Sequence, residues 1–333
     1  MQRENWASRS EGRYSERAWR AYAGVWHRMG GRDPAAAVES EIGAVRLFRL
    51  SDAAGTRMSH KNLYTEKFPF GSPRQRPDGL WEDDFAYAQD DNRFQPLGLP
   101  SAAEAAQGIG GHQARRLLTI HPDAYLSCAV ALPMRADTAA AAGAAPGQGG
   151  SWGFEAFLLD EPFRWSLAKI WGLADGAPLR YTLITERVAP VDPDASVDLA
   201  QHAMPPLRDR LSPDPSKWLP GSTAEWGGIA RALGFDADGR AVRLAPVRIP
   251  WEPPAAKPGC RLACMPDGFW VSAPESLPAA DELAASGLPE GVAFEFGGRL
   301  RSEEGLQRVV LRYDGAGRIE RLTWEKFTRC SGL

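Results

Sequence analysis

Two sets of charged side chains, repeated in the same order, are the residues here best suited to chemistry. Glu155, Arg164 and Glu186 close the first half of the chain, and Glu295, Arg308 and Glu325 close the second. A carboxylate held beside an arginine is a candidate for acid–base work. The same residues on neighbouring strands are charged pairs that fix a sheet's register. Because the set occurs twice, the structural role is expected; two copies of one active site in a chain would be unusual. Other catalytic patterns point nowhere. Gly108-Ile-Gly110-Gly111-His112 lacks a following Lys-Ser or Lys-Thr, so it is no phosphate loop. No nucleophile elbow is expected. His27, His60, His112, His121 and His202 are scattered, with no pair at i,i+4. His60, beside Asn62 and Tyr64, reads as a polar strand end. Among Cys128, Cys260, Cys264 and Cys330, only Cys260 and Cys264 lie close, and nothing completes a zinc site around them. The expectation is reduced thiols, with no catalytic residue, no metal and no cofactor.

The elements that would position these residues come from composition and pattern. The 333 residues suit about two domains. Lys plus Arg total 39 against 42 for Asp plus Glu, a net charge of −3, which argues against a nucleic-acid partner. With 44% hydrophobic and 24% charged residues the chain can build real cores. The longest apolar run, near Tyr125 to Met134, is about half of what a bilayer needs, so no integral membrane protein is expected. The first thirty residues mix Arg with Glu4, Glu11 and Glu16, unlike a secretory signal or a transit peptide. The 34 Gly and 27 Pro suit short strands joined by turns rather than a helical bundle.

Residues 3–22 predict a short N-terminal helix, with Glu16 and Arg20 paired at i,i+4 and a break at Gly24. Strand-like runs follow at 44–50, 124–132, 154–159, 163–171 and 179–186. Residues 71–112 look like irregular connections, and 139–150 like a flexible loop. Seven prolines fall within 189–220, which marks a linker. Strands resume at 223–233, 241–249, 268–272, 292–300, 307–313 and 318–327, with turns at Asp236-Ala-Asp-Gly239 and Asp314-Gly-Ala-Gly317. The expected organisation is an N-terminal barrel over 1–190, a Pro-rich linker over 191–220 and a smaller C-terminal barrel over 221–333.

The halves repeat beyond the charged set. Arg180-Tyr-Thr182 precedes Glu186-Arg187, and Arg321-Leu-Thr323 precedes Glu325-Lys326. Tyr22-Ala-Gly-Val-Trp26 matches Thr223-Ala-Glu-Trp226. Two antiparallel units are implied, each ending in a hairpin that returns to its first strand and so closes toward a barrel. Trp26 and Trp226 are expected to plug the barrels. Arg187 or Arg180 would stack on the first, and Lys326 or Arg321 on the second.

These residues resemble a known family. Tyr22-Ala-Gly-Val-Trp26, His60-Lys-Asn62-Leu-Tyr64, Trp81-Glu-Asp-Asp-Phe85, Gly153-Phe-Glu155, Leu183-Ile-Thr-Glu186-Arg187, Phe294-Glu295 and Gln307-Arg308-Val-Val-Leu-Arg312-Tyr313 carry the likeness. The chain is similar to the lipocalin-like chloroplast ATP-synthase biogenesis factors and their uncharacterised cyanobacterial relatives. The resemblance implies an all-β fold of two lipocalin-like, calycin-type antiparallel barrels in tandem. It also implies a monomeric, non-enzymatic stromal assembly factor that binds β and γ subunits of the F1 sector. Candidate contact residues are Arg299, Arg301, Arg308, Arg312, Arg318 and Arg321, with Trp251 and Trp270 as exposed anchors. The competing expectation is a calycin-type carrier of a small ligand, such as a bilin-like tetrapyrrole, in a barrel lumen.

Overall fold

A computed structural model of the chain describes residues 20–30, 38–50, 57–67, 73–90, 93–96, 115–121, 124–129, 151–160, 162–172, 176–189, 219, 226–235, 241–254, 259–265, 268–277, 291–300, 304–315 and 317–330. The first sheet has eleven strands: β1 (Arg20–Gly30), β2 (Val38–Leu50), β3 (Arg57–Tyr64), β4 (Arg74–Gln75), β5 (Trp81–Asp90), β6 (Arg93–Pro96), β7 (Arg115–His121), β8 (Ala124–Ala129), β9 (Ser151–Asp160), β10 (Phe163–Gly172) and β11 (Pro178–Ala189). The second has eight: β12 (Trp226–Phe235), β13 (Ala241–Arg243), β14 (Val247–Pro250), β15 (Cys260–Met265), β16 (Phe269–Pro274), β17 (Val292–Arg299), β18 (Gly305–Tyr313) and β19 (Ile319–Arg329).

Both sheets follow one plan. Neighbouring strands run antiparallel in near-sequential order, and in each sheet the last strand returns to the first: β11 pairs β1, and β19 pairs β12. That is the order of a barrel wall. The Asp314–Gly317 turn forms as the sequence predicts. Gly317 has φ 72° and donates its N–H to the Asp314 carbonyl, while Asp314 Oδ1 accepts the Arg318 N–H.

Some expectations need correction. Residues 20–22 belong to β1 rather than to a helix, and the rest of the expected helix lies outside the described residues. Gly24 interrupts nothing; it sits mid-strand, where β1 and β11 approach closely. A Cβ built there would collide with the Thr185 carbonyl oxygen and lie 2.7 Å from Glu186 Cα. Residues 71–112 contain β4, β5 and β6. The run 241–249 is two short strands, because β13 and β14 pair with different stretches of β12. Chain direction passes from the first sheet to the second between Ala189 and Trp226, and the expected linker lies almost wholly outside the described residues. Gly24→Ala is expected to lower unfolding stability by about 1–3 kcal/mol, since a backbone carbonyl blocks the added methyl. A denaturation midpoint equal to wild type would refute the close approach.

Strand period two gives each sheet two faces with different chemistry. One face of each sheet packs against the other sheet. Trp152, Phe154, Trp165, Trp171 and Tyr181 meet Phe269, Phe294, Phe296, Tyr313 and Trp324 in one continuous apolar cluster. Trp165 lies 5.3 Å from Phe269, and Trp152 lies 5.5 Å from Phe294, in tilted pairs. Two polar side chains bridge this seam by hydrogen bonds: Lys169 Nζ donates to the Pro274 carbonyl at 3.0 Å, and Gln307 Nε2 to the Leu159 carbonyl at 3.2 Å. The opposite, inner face of each sheet carries the charged sets.

Candidate functional site

Register brings the repeated charges together in both sheets. Arg164 on β10 is the direct partner of Glu186 on β11, and Arg308 on β18 is the direct partner of Glu325 on β19. The sequence prediction of paired charges on adjacent strands therefore holds in both halves.

In the first sheet the pair is sealed. Arg164 Nε donates to Glu186 Oε2 at 2.8 Å, and its guanidinium stacks 3.6 Å over Tyr22. Arg46 reaches in from β2: its Nε lies 3.2 Å from Glu186, its NH2 donates to Glu155 at 2.9 Å, and it covers Trp26 at 4.5 Å. Ser166 donates to the same Glu155 oxygen at 3.1 Å. Burial works against the Arg46 charge, but Glu155 and Glu186 more than offset it and raise its pKa further. Arg164 and Glu186 are fully buried. Two arginines and two carboxylates neutralise one another here, with Glu155 alone of the four partly exposed.

The second sheet uses the same pair differently. Arg308 Nε donates to Glu325, its NH1 donates to the Glu252 carbonyl at 2.9 Å and lies 3.5 Å from Glu295. Trp270 Nε1 donates to Glu295 at 2.7 Å. Burial pushes the Glu325 carboxyl above its ordinary range, with Arg308 pulling the other way. This group lines a cleft of about 490 Å3, together with Ala230, Ala232, Leu244, Val247, Ile249, Val310, Arg312, Arg321 and Thr323. Small-molecule sites occupy about 300–1,000 Å3.

The cause of the difference is legible in the register. Trp26 pairs with Ile184, two residues before Glu186; the matching position, two residues before Glu325, is Thr323, which pairs with Ala232. An alanine thus stands where the first sheet has a tryptophan capped by Arg46. This corrects the expected match of Trp26 with Trp226. Trp226 is buried instead beside Trp251, Trp270, Leu306 and Phe327, in an apolar cluster separate from the seam. Arg46, which the sequence did not single out, covers Trp26, and in the second sheet Arg308 lies over Phe327 and Trp251, at 5.3 and 5.6 Å.

The expected contact residues divide in the same way. Arg299, Arg318 and Arg321 are exposed and Arg312 is half-buried, whereas Arg308 is committed to its carboxylates. Arg318 is tied to Asp314 within the hairpin at 3.0 Å, and Arg301 lies outside the described residues. Trp251 and Trp270 are not exposed anchors: both are 0% exposed, packed on each other and on Phe327.

Three further arrangements were open to catalysis. His27 bridges Glu41 and Thr185 with both contacts at 3.3 Å, a base between an orienting carboxylate and a hydroxyl. Thr185 is only 1% exposed, which denies a substrate access to its hydroxyl. Gly149-Gly-Ser151-Trp-Gly153 does have the spacing of a nucleophile elbow, contrary to expectation, but Ser151 opens β9 rather than a strand-to-helix turn. Cys260, Cys264 and Cys330 are free thiols; the side chains of Cys128 and His60, and all of His112 and His202, lie outside the described residues. Among the described residues, no three His, Cys, Asp or Glu side chains converge on a metal position. No described helix is long and apolar enough to cross a membrane.

A second depression of about 670 Å3 lies at the edge of the second sheet, beside β7 of the first. It is lined by Arg231, Arg248 and Lys326, by Gly227, Gly228 and Pro250, and by His121, whose ring stacks on Trp324 at 3.9 Å. Ile229, half-exposed, lies between its cross-strand partners Arg248 and Lys326, and none of the described lining residues is a carboxylate.

No protein-family model matches the chain, and no curated protein matches it. Among solved structures, it is similar to a protein of unknown function from the DUF3598 family of Nostoc punctiforme, at 14% identity and a TM-score of 0.50, over 93% of this chain and 95% of that one. A putative outer membrane protein from Bacteroides fragilis aligns at 7% identity over 92% and 95% of the two chains, with a TM-score of 0.17 that marks no common fold. The first likeness agrees with the expected uncharacterised cyanobacterial relatives, and none of these matches concerns ATP-synthase biogenesis. What the chain shares with the Nostoc protein is the fold, a tandem of two barrel-like antiparallel sheets.

Proposed function

We propose that the protein is a non-enzymatic factor that binds other proteins during their assembly. The observation that carries this reading is the cationic groove at the edge of the second sheet. Arg231, Arg248 and Lys326 surround the half-exposed Ile229 with no carboxylate among the described lining residues, although the whole chain is net −3. Positive charge gathered around one apolar anchor suits an acidic protein segment that carries an apolar residue. Arginine is also a favoured contact residue at interface hot spots. The resemblance in sequence supplies the partners: β and γ subunits of the chloroplast ATP-synthase F1 sector, met in the stroma by a monomer of this chain.

Immobilised full chain is expected to retain isolated F1 β or γ subunit, more weakly as salt rises. The triple variant Arg231→Glu, Arg248→Glu, Lys326→Glu is expected to reduce retention by about tenfold or more. Retention of neither subunit would overturn the choice of partner. Retention that the triple variant leaves intact would overturn the groove.

A further inference from the structure

Glu82, Asp83 and Asp84 stand in a row on β5, and strand period two sends the middle one to the face opposite its neighbours. Glu82 and Asp84 share their face with cations. Glu82 takes Lys61 at 3.2 Å, Arg74 Nε at 3.0 Å and Arg76 at 3.3 Å, and Asp84 accepts from Arg74 at 3.0 Å. Asp83 turns inward. It is the direct partner of Asn62, which is the partner of Arg46, and on the same face Trp81 is the partner of Tyr64. The Asp83 charge is felt at the Tyr64 hydroxyl.

Asp83 is 9% exposed, yet among the described residues neither a cation nor a hydrogen-bond donor engages its carboxylate. Burial, and then the like charge of Asp84, hold its carboxyl above the ordinary range. The neighbouring cations are committed elsewhere. Arg46 contacts Glu155 and Glu186, Lys61, Arg74 and Arg76 hold Glu82, and Lys67 Nζ lies over the Trp81 ring at 5.3 Å. Asn62 Nδ2 donates to the Tyr64 hydroxyl at 2.9 Å. A buried carboxylate without a partner is costly, and buried charges in proteins are paired or hold an ion. The surroundings select the ion. Among the described residues no three His, Cys, Asp or Glu side chains converge, so a metal that demands several carboxylates is not served. An ammonium is served by one carboxylate and aromatic rings. Trp26 and Tyr64 meet edge to face at 5.1 Å, and the half-buried Trp81 packs on the same cluster.

We infer that Asp83 anchors a site for a small organic ammonium ion, its N–H groups on the carboxylate beside Asn62 and Tyr64 and its hydrocarbon body against Trp81. The ammonium supplies the charge-assisted hydrogen bonds that Asp83 otherwise lacks. Four steps of strand order separate β5 from β11, which carries the sealed Glu186. The site shares no residue with the cationic groove of the second sheet, so either proposal can fail alone.

Calorimetric titration of the full chain at constant ionic strength tests it, with butylammonium and 2-phenylethylammonium against butanol, 2-phenylethanol and potassium. Saturable binding of at least one ammonium, one per chain, is expected, with its alcohol and potassium weaker by about tenfold or more. Asp83→Asn is expected to weaken that ammonium by about tenfold or more without lowering the unfolding midpoint, because it removes an unpaired buried charge. If that variant does not fold, the ratio of ammonium to alcohol affinity decides. No saturable binding of either ammonium, equal binding of the matching alcohol, or tighter binding of potassium would each overturn the inference. So would an affinity unchanged in Asp83→Asn, or a midpoint that this variant lowers, which is the mark of a carboxylate with a structural partner.

Discussion

Glu186→Gln is expected to cost about 3–5 kcal/mol of unfolding stability, one of the two largest effects anticipated for this chain. Its carboxylate contacts both buried arginines: Arg164 at 2.6 Å and Arg46 at 3.2 Å. Glutamine keeps the shape but removes the charge that both buried guanidiniums share, leaving Arg46 its bond to Glu155. A buried charge stripped of its partner costs far more than the intact pair contributes. The repeat supplies a matched comparison. Glu325→Gln removes the equivalent carboxylate beside Arg308, but Glu295 remains at 3.5 Å and the cleft admits water. That variant is expected to lose only about 1–2 kcal/mol. Guanidinium denaturation of both, with slopes checked for equal cooperativity, makes the comparison. A Glu186→Gln loss no greater than that of Glu325→Gln would sink the view that the first interior is sealed and the second open.

How much of this was legible in the sequence depends on the length scale of each signal. The cross-strand pairs Arg164–Glu186 and Arg308–Glu325 were readable because a hairpin is local: two strands and one turn fix which residues face each other. The return of β11 to β1 and of β19 to β12 was readable from the order of the repeat. Arg46 was not. It sits in the run Ala44-Val-Arg-Leu-Phe-Arg-Leu50, where an arginine among apolar residues looks like the solvated side of a strand. Only the closed inner face turns it toward Glu155 and Glu186.

The tryptophans failed for a related reason. Trp26 and Trp226 match by residue type, yet register places Ala232, six residues on, at the Trp26 position. Composition does not carry register, and a shift by an even number of residues keeps the same face. Trp251 and Trp270 were expected outside because nothing local marks the apolar cluster that covers them. The long connection at 71–112 hid β5 because its Trp81-Glu-Asp-Asp-Phe85 is too acidic for strand propensity. The pairing with β3 that stabilises it is tertiary, with Lys61 held at 3.2 Å from Glu82. The two sheets share one plan and differ inside it: Trp26 and a second arginine fill one interior, and Ala232 stands at the matching place beside the cleft of the other.

Lys169→Met is expected to remove a pH dependence from the stability of the whole molecule. Lys169 is fully buried at the seam between the sheets, donating to the Pro274 carbonyl, with the rings of Trp171 and Tyr181 at 4.4 and 4.5 Å from its Nζ. Burial lowers its pKa from 10.5 to about 7; nearby Cys260 and Glu275 resist that fall and Arg261 adds to it. In the unfolded chain the amine keeps its ordinary pKa of 10.5. Below about pH 7 both states are protonated, and the folded state bears the full cost of a buried ammonium. Between about 7 and 10.5 only the unfolded chain holds the proton, so stability rises with pH across that window. The lowering corresponds to about 5 kcal/mol. Methionine has a similar length and no charge, so it escapes this cost at every pH. The variant is therefore expected to be more stable than wild type at pH 6 and to lose that advantage progressively toward pH 10, a difference in which the other titrating groups cancel. Urea denaturation of both proteins at several pH values reads it directly. A gap between the two that stays constant from pH 6 to 10 would show that Lys169 keeps an ordinary pKa in the fold, and that the seam is wetter than its packed aromatic rings imply.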